Sequence, residues 1–290
     1  MGYLLLGIDV VALVAVNLLG AAFGRKTAEF KNAASLYNLL TIAVALCVWG
    51  VLWAIDFSFD ARVLWYAVGF GVSYFLANIG LILALSSGSV SLTSMLMQMS
   101  MIAATVWGFF FWNEKFTLLI GIGLVLVLVS LALCLLERGE KKSKITLKWL
   151  LSALVAFAGN AGCIIIQRTQ QLVFKQQHGN MLMFFAMIFA TLSCVVLLLK
   201  NKTEAPRTVI KRGGIFPVAV GILNAANNLI VILLADPKFG VSASFLFPVL
   251  SVAALAMTSI LSLILFGDKL KPRQWVGVGI GAVAVLMLSL

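Results

Sequence analysis

Ten runs of apolar residues dominate the sequence: 3–23, 36–55, 63–85, 91–111, 117–136, 149–167, 181–199, 214–235, 242–266 and 274–290. A helix rises 1.5 Å per residue, so about 20 residues cross a hydrocarbon core of about 30 Å. Lipid offers no hydrogen-bond partners to the backbone, which leaves only helices and closed barrels as spanning structures. Barrel strands alternate apolar and polar positions, and these runs do not. The expected fold is therefore an all-α integral membrane protein with ten transmembrane helices. The residue balance agrees: 62% of the 290 residues are hydrophobic and 11% are charged, against about 25% charged in ordinary soluble domains. So much apolar surface in water would drive aggregation. Only short loops remain between the runs.

The formal net charge is +11. Two readings compete for such an excess: a basic face for nucleic acid, or loop charge that sets membrane orientation. Of the 21 Lys and Arg residues, 16 fall in the loops after odd-numbered runs and 5 in those after even-numbered runs. By the positive-inside rule the odd loops are cytoplasmic and both termini lie outside. This absorbs the excess and leaves no cluster for a nucleic-acid partner. Gly20-Ala21-Ala22 looks like a cleavage site, but no basic region precedes the first run and Arg25 and Lys26 follow at once. The first run is read as a span, not a removed signal peptide.

Cys47, Cys134, Cys163 and Cys194 each sit inside an apolar run without CxxC spacing, so they read as small packing residues. His178 is the single histidine and has no partners at metal or catalytic spacing. No HExxH or phosphate-binding loop occurs. The expectation is a protein without cofactor or metal that is not an enzyme.

The two halves of the chain correspond. Asn17 and Arg25 match Asn160 and Arg168 at an offset of 143. Gly71 and Asn78 match Gly221 and Asn228 at an offset of 150. The fourth and ninth runs end in Glu114-Lys-Phe and Asp268-Lys-Leu, and Gly123 and Gly277 follow, all at an offset of 154. Offsets that grow in order are what loop insertions produce. The halves are 1–138 and 149–290, joined by a basic linker at 139–148. Five spans per half is an odd number, so the second copy enters the membrane inverted, a recurrent plan of secondary transporters.

This pattern resembles the drug/metabolite transporter (DMT) superfamily, specifically its ten-helix EamA-like members. The resemblance covers nearly the whole chain. It rests on the 5+5 plan, the short spans, and an acidic residue followed by a glycine-rich helix closing each half: Glu114 with Gly121 and Gly123, and Asp268 with Gly277, Gly279 and Gly281. Phe247-Pro248 in the ninth run looks like the family's proline there, whereas Ser94 stands at the matching place in the first half. The resemblance implies a central cavity lined mainly by spans 1, 3, 4, 6, 8 and 9, with spans 5 and 10 peripheral. It also implies cytoplasmic termini, opposite to the loop charges.

Polar residues inside the runs are the remaining pointer to function, because they are costly in hydrocarbon and usually face a bundle interior or a cavity. Asn17, Asn78, Gln98, Asn160, Asn224, Asn227 and Asn228 are the main ones. Each also has a plain reading as a helix–helix hydrogen bond, worth about 0.6 kcal/mol. Asn17, Tyr74, Asn78, Gln98, Asn160, Asn224 and Asn228 are the cavity candidates. Asn17 lies about 12 Å along its helix from Arg25, near the midplane. Amides suit a polar neutral or zwitterionic metabolite better than a strong anion, since no Lys or Arg sits deep in a run. Asp9 is the only acidic residue within a run: either a proton-coupling carboxylate or an interfacial residue near a frayed terminus. Glu114 and Asp268 are read as helix-capping or gating residues. Trp49, Trp53, Trp65, Trp112, Trp149 and Trp275 lie near run ends and read as interfacial belts. Glycines in spans 5 and 10 permit close helix approach, within the chain or in a homodimer.

The expected function is secondary transport of a small polar organic metabolite or drug-like compound by alternating access, in efflux, at a bacterial plasma membrane. A polytopic membrane enzyme or a channel or scaffold without alternating access is the alternative. The expected partners are the small-molecule substrate and the lipid bilayer.

Overall fold

The computed structural model describes residues 2–27, 29–87, 90–113, 115–135, 147–200, 202–234, 236–266 and 272–289. Among these residues there are eleven α-helices and no strand. Ten helices match the ten apolar runs: α1 Gly2–Thr27, α2 Ala33–Ile55, α3 Val63–Ser87, α4 Val90–Phe111, α5 Leu118–Leu135, α6 Leu147–Val173, α7 Gly179–Lys200, α9 Ile215–Leu234, α10 Ala243–Phe266 and α11 Pro272–Ser289. Among the described residues, six segments are long and apolar enough to cross a membrane: Gly2–Gly24, Ala33–Ile55, Val63–Leu81, Trp149–Val173, Gly179–Lys200 and Ile215–Leu234. These suit a multi-pass membrane protein.

Two features depart from the sequence expectation. The first is α8, Pro206–Gly213, which hydropathy does not detect. It starts with Pro206, whose missing N–H costs nothing at a helix start, and carries Arg207, Lys211 and Arg212 on one side. Val209 is buried with Phe23, Ala33 and Leu36, so the helix is amphipathic and too short to span. The second is α6, which runs six residues past the expected end at 167. Its last turns hold Gln167, Gln170 and Gln171, which are buried even though they are polar.

The helices pack as two compact units. The first contains 3–75 and 166–236, and the second contains 76–165 and 237–290. In the first unit α2 packs against α7 and α9, around Trp49, Met181, Leu182 and Met183, all fully buried. Trp49 therefore belongs to the core, not to an interfacial belt, and so does Trp149, which is 4% exposed. Position along a run fixes depth but not which way a side chain faces. Trp65 is 80% exposed, as a belt residue requires. The loop after α1 meets the segment after α7: Asn32 Nδ2 donates to the Lys202 carbonyl at 3.1 Å, and Arg212 pairs with Glu29. At the other end the loops after α2 and α6 meet, with Asn180 Nδ2 3.4 Å from Asp56 Oδ2 and Arg62 over the Phe174 ring. Loops after odd runs thus share one end of this unit and loops after even runs share the other.

Glycines set the closest approaches. A Cβ on Gly71 of α3 would lie 2.9 Å from the Ala186 carbonyl oxygen and 2.8 Å from the Phe189 Cβ, both on α7. A Cβ on Gly221 of α9 would lie 2.6 Å from the Thr41 oxygen and 2.8 Å from the Val44 Cβ, both on α2. In the second unit α5 packs against α11 and α10 against α4 and α11, around Ile102, Leu124, Val127, Val252 and Ala284. Ser130 Oγ donates to the Gly277 carbonyl at 2.7 Å, and a Cβ on Gly281 would meet the same Oγ. Gly277 and Gly281 thus serve packing within the chain. Gly80 of α3 lies against the backbone of α6, where an added Cβ would be 2.6 Å from the Ala156 nitrogen.

Backbone cannot yield as a flexible side chain does. Gly80→Ala is therefore expected to destabilise the protein by about 1–3 kcal/mol. Gly279→Ala, with nothing within 4 Å of the added atom, is expected to leave it unchanged. Thermal unfolding of the two variants in detergent separates these outcomes.

Candidate functional site

The polar residues of α9 gather side chains from three other helices of the first unit. Asn224, Asn227 and Asn228 have the i, i+3, i+4 spacing that places them on one face of a helix. Asn224 Nδ2 donates to the Tyr74 hydroxyl of α3 at 3.1 Å. Asn228 Nδ2 donates to the Asn224 backbone carbonyl at 2.8 Å and to Asn224 Oδ1 at 3.3 Å, and the second bond ties the two amides together. Gln167 Nε2 of α6 donates to the Asn228 carbonyl at 3.3 Å. Asn227 Nδ2 donates to Asp9 Oδ1 of α1 at 2.6 Å.

Asp9 is completely buried. The carboxyl is enclosed by protein, and Asn227 is its partner. Its second oxygen, Oδ2, finds no hydrogen-bond partner among the described residues. A buried carboxyl oxygen without a partner is rare and marks a place where a proton, a water or a ligand donor belongs.

The other candidates stand elsewhere. Asn160 Nδ2 donates to Ser100 Oγ at 2.6 Å within the second unit. Asn78 is half-buried on α3, and Asn17 is exposed on α1. Glu114 and Asp268 lie outside the described residues, as does the side chain of Gln98.

Sequence reasoning missed the glutamines of α6. Gln170 and Gln171 are fully buried and Gln167 is 5% exposed. Gln171 Nε2 donates to Gln170 Oε1, and Gln170 Nε2 donates to the Gln177 carbonyl at 2.9 Å. The signal was present: Gln167, Gln170 and Gln171 repeat the i, i+3, i+4 spacing of the three asparagines. The cluster supplies amide donors, amide acceptors, one phenol and one carboxyl. It suits a polar ligand with both donors and acceptors.

No family model and no curated protein matches the chain. Solved structures do. One, described only as "Crystal structure of protein", superposes with a TM-score of 0.77 at 12% identity, covering 99% of this chain and 96% of its own. At that identity the likeness concerns the fold alone.

Asn227 is the one side-chain donor the described residues offer to Asp9. Asn227→Ala is expected to lower stability by about 1–3 kcal/mol, because it leaves both carboxyl oxygens buried without a partner. Asp9→Leu combined with Asn227→Ala is expected to recover part of that loss. Unfolding midpoints of the single and double variants in detergent measure the coupling.

Proposed function

We propose that the protein is a secondary transporter of the EamA-like DMT type, with ten spans arranged as two inverted five-helix repeats. It moves a small polar organic metabolite or drug-like compound by alternating access. One observation carries this reading: Tyr74 and Asn224, which hydrogen-bond to each other, stand at corresponding positions of the two repeats, 150 residues apart. Residues related by a two-fold axis touch only if they lie close to that axis. The bond therefore supports an axis passing through the polar cluster.

The glycine contacts support the same axis. Gly71 packs on residues 186 and 189, and Gly221 packs on residues 41 and 44. The partners are themselves related by one offset, 145. That value lies between the 143 of the first matched spans and the 150 of the third. Two helix crossings thus repeat as a two-fold operation requires.

In this reading Asn224 and Tyr74 contact the substrate directly, and Asn228 holds Asn224 in place. Asp9, beside Asn227, is the residue for proton coupling, since it is an enclosed carboxyl with one free oxygen. The loop charges orient the odd loops toward the cytoplasm, in a bacterial inner membrane.

The test is flux in proteoliposomes, with the substrate drawn from metabolites whose pools differ between overexpressing and deletion cells. Saturable uptake stimulated by substrate on the far side is expected, and ohmic conductance would sink the reading. Asn224→Ala and Tyr74→Phe are expected to lower uptake at least tenfold while the protein elutes and melts as the parent does. Asp9→Asn is expected to remove dependence on a proton gradient and to leave counterflow.

The orientation is tested separately. A cysteine replacing Lys202 is expected to be protected from an impermeant maleimide in intact cells, and one replacing Ser58 is expected to react.

A further inference from the structure

A second pocket lies at the end of the first unit where the loops after α2 and α6 meet. Its volume is about 380 Å³. Its lining includes Asp56, His178 and Asn180, and Leu229, Ile232 and Leu233 of α9. Ile232 lies about 12 Å along α9 from Asn224, whereas Leu229 directly follows Asn228, so the pocket adjoins the asparagine cluster on its loop side.

Three features mark it as more than a gap between loops. The segment that walls it holds Lys175, Gln176 and His178 with φ of 49°, 70° and 61°. Residues other than glycine rarely adopt this left-handed conformation, which is strained for a side chain with a Cβ. Next, the His178 Nδ1 is buried without a hydrogen-bond partner among the described residues. Finally, Gln171 is fully buried behind the pocket wall and its Oε1 has no partner either. Its Nε2 would lie 2.9 Å from a Cβ on Gly179, which lines the pocket. Only glycine lets the wall come so close to this amide.

Charge selects the ligand. Arg62 binds Asp60 through Nη2 at 2.7 Å, and its hydrogen bonds hold the Asp60 carboxyl down to about 2. Asp60 is thus ionised and already neutralised. Asp56 has no such cation among the described residues, and its side-chain partner is the Asn180 amide at 3.4 Å. The pocket thus offers an exposed carboxylate without an ion-pair partner among the described residues, together with three aliphatic side chains.

We propose that this pocket binds a small primary amine with an apolar body, the ammonium group on Asp56 and the body against Leu229, Ile232 and Leu233. The proposal does not rest on the transport reading. A site at the loop end reads amine-bearing molecules before or apart from any passage through the protein.

The test uses the purified full-length protein in detergent and phenethylamine as the probe, followed by titration calorimetry. Saturable binding is expected. Asp56→Asn is expected to weaken it at least tenfold, whereas Asp60→Asn changes it less than threefold. The neutral isostere 2-phenylethanol and the anion 3-phenylpropanoate are expected not to compete. Leu233→Trp, which fills the apolar side without touching the carboxylate, is expected to abolish binding and covers the case in which the Asp56 variant fails to fold. No saturable binding to the parent protein, undiminished binding to a folded Asp56→Asn variant, or equal competition by 2-phenylethanol would each overturn the proposal.

Discussion

Hydrocarbon offers nothing for a polar group to bond with, and the rest of the structure follows from that constraint. Every backbone amide in a span must close its bond within its own helix, so the chain is helical wherever it is apolar. Every polar side chain in a span must then find another. Asn224, Asn227, Asn228, Gln167, Tyr74 and Asp9 stand on four helices, and they bond in two sets: Tyr74, Asn224, Asn228 and Gln167 in one, Asn227 and Asp9 in the other. Each bond is worth little by itself. Leaving any member unpaired costs more than the bond gains, so the two sets fix how α1, α3, α6 and α9 face one another within the first unit.

The same constraint decides what could be read from the sequence. Helix existence was legible because it depends on a one-dimensional quantity, the length of an apolar run. All ten runs became helices whose ends shift by a few residues. Facing was not legible, because it depends on neighbours distant in the chain. Trp49 and Trp65 both lie toward run ends, and one is fully buried while the other is 80% exposed. Hydropathy failed in both directions for polar segments. It ended α6 too early, because buried glutamines that bond to one another look like a loop. It passed over α8, whose stability comes from Val209 docking in a small core while its basic side faces outward. The asparagines were legible as polar residues out of place, but their partner Asp9 was ambiguous until Asn227 was found 2.6 Å away.

The glycines set close helix approaches at crossings other than those the polar cluster bridges. Gly71 and Gly221 bring α3 onto α7 and α9 onto α2 with no room for a methyl group. The serine–glycine contact between α5 and α11 does the same in the second unit. Small residues here let helices approach closely, in the manner common to helices in membranes.

The proposed repeat would give two-fold related contacts in two distinct forms. Gly71 and Gly221 illustrate the first: each meets the counterpart of the other's partner, and the two contacts lie apart. Tyr74 and Asn224 illustrate the second, in which a residue meets its own counterpart. Such a position is unique along each helix pair, and symmetry alone would place the same side chain on both sides of it. Here the sides differ, a phenol against an amide. Two identical asparagines would pair equally well in two arrangements. A tyrosine hydroxyl accepting from an asparagine N–H leaves the amide oxygen and one N–H for other partners, and Asn228 already takes one of these positions. On the proposed repeat, this asymmetry at the axis is where divergence of the two copies would show as specificity, and where a ligand would be read with one defined orientation.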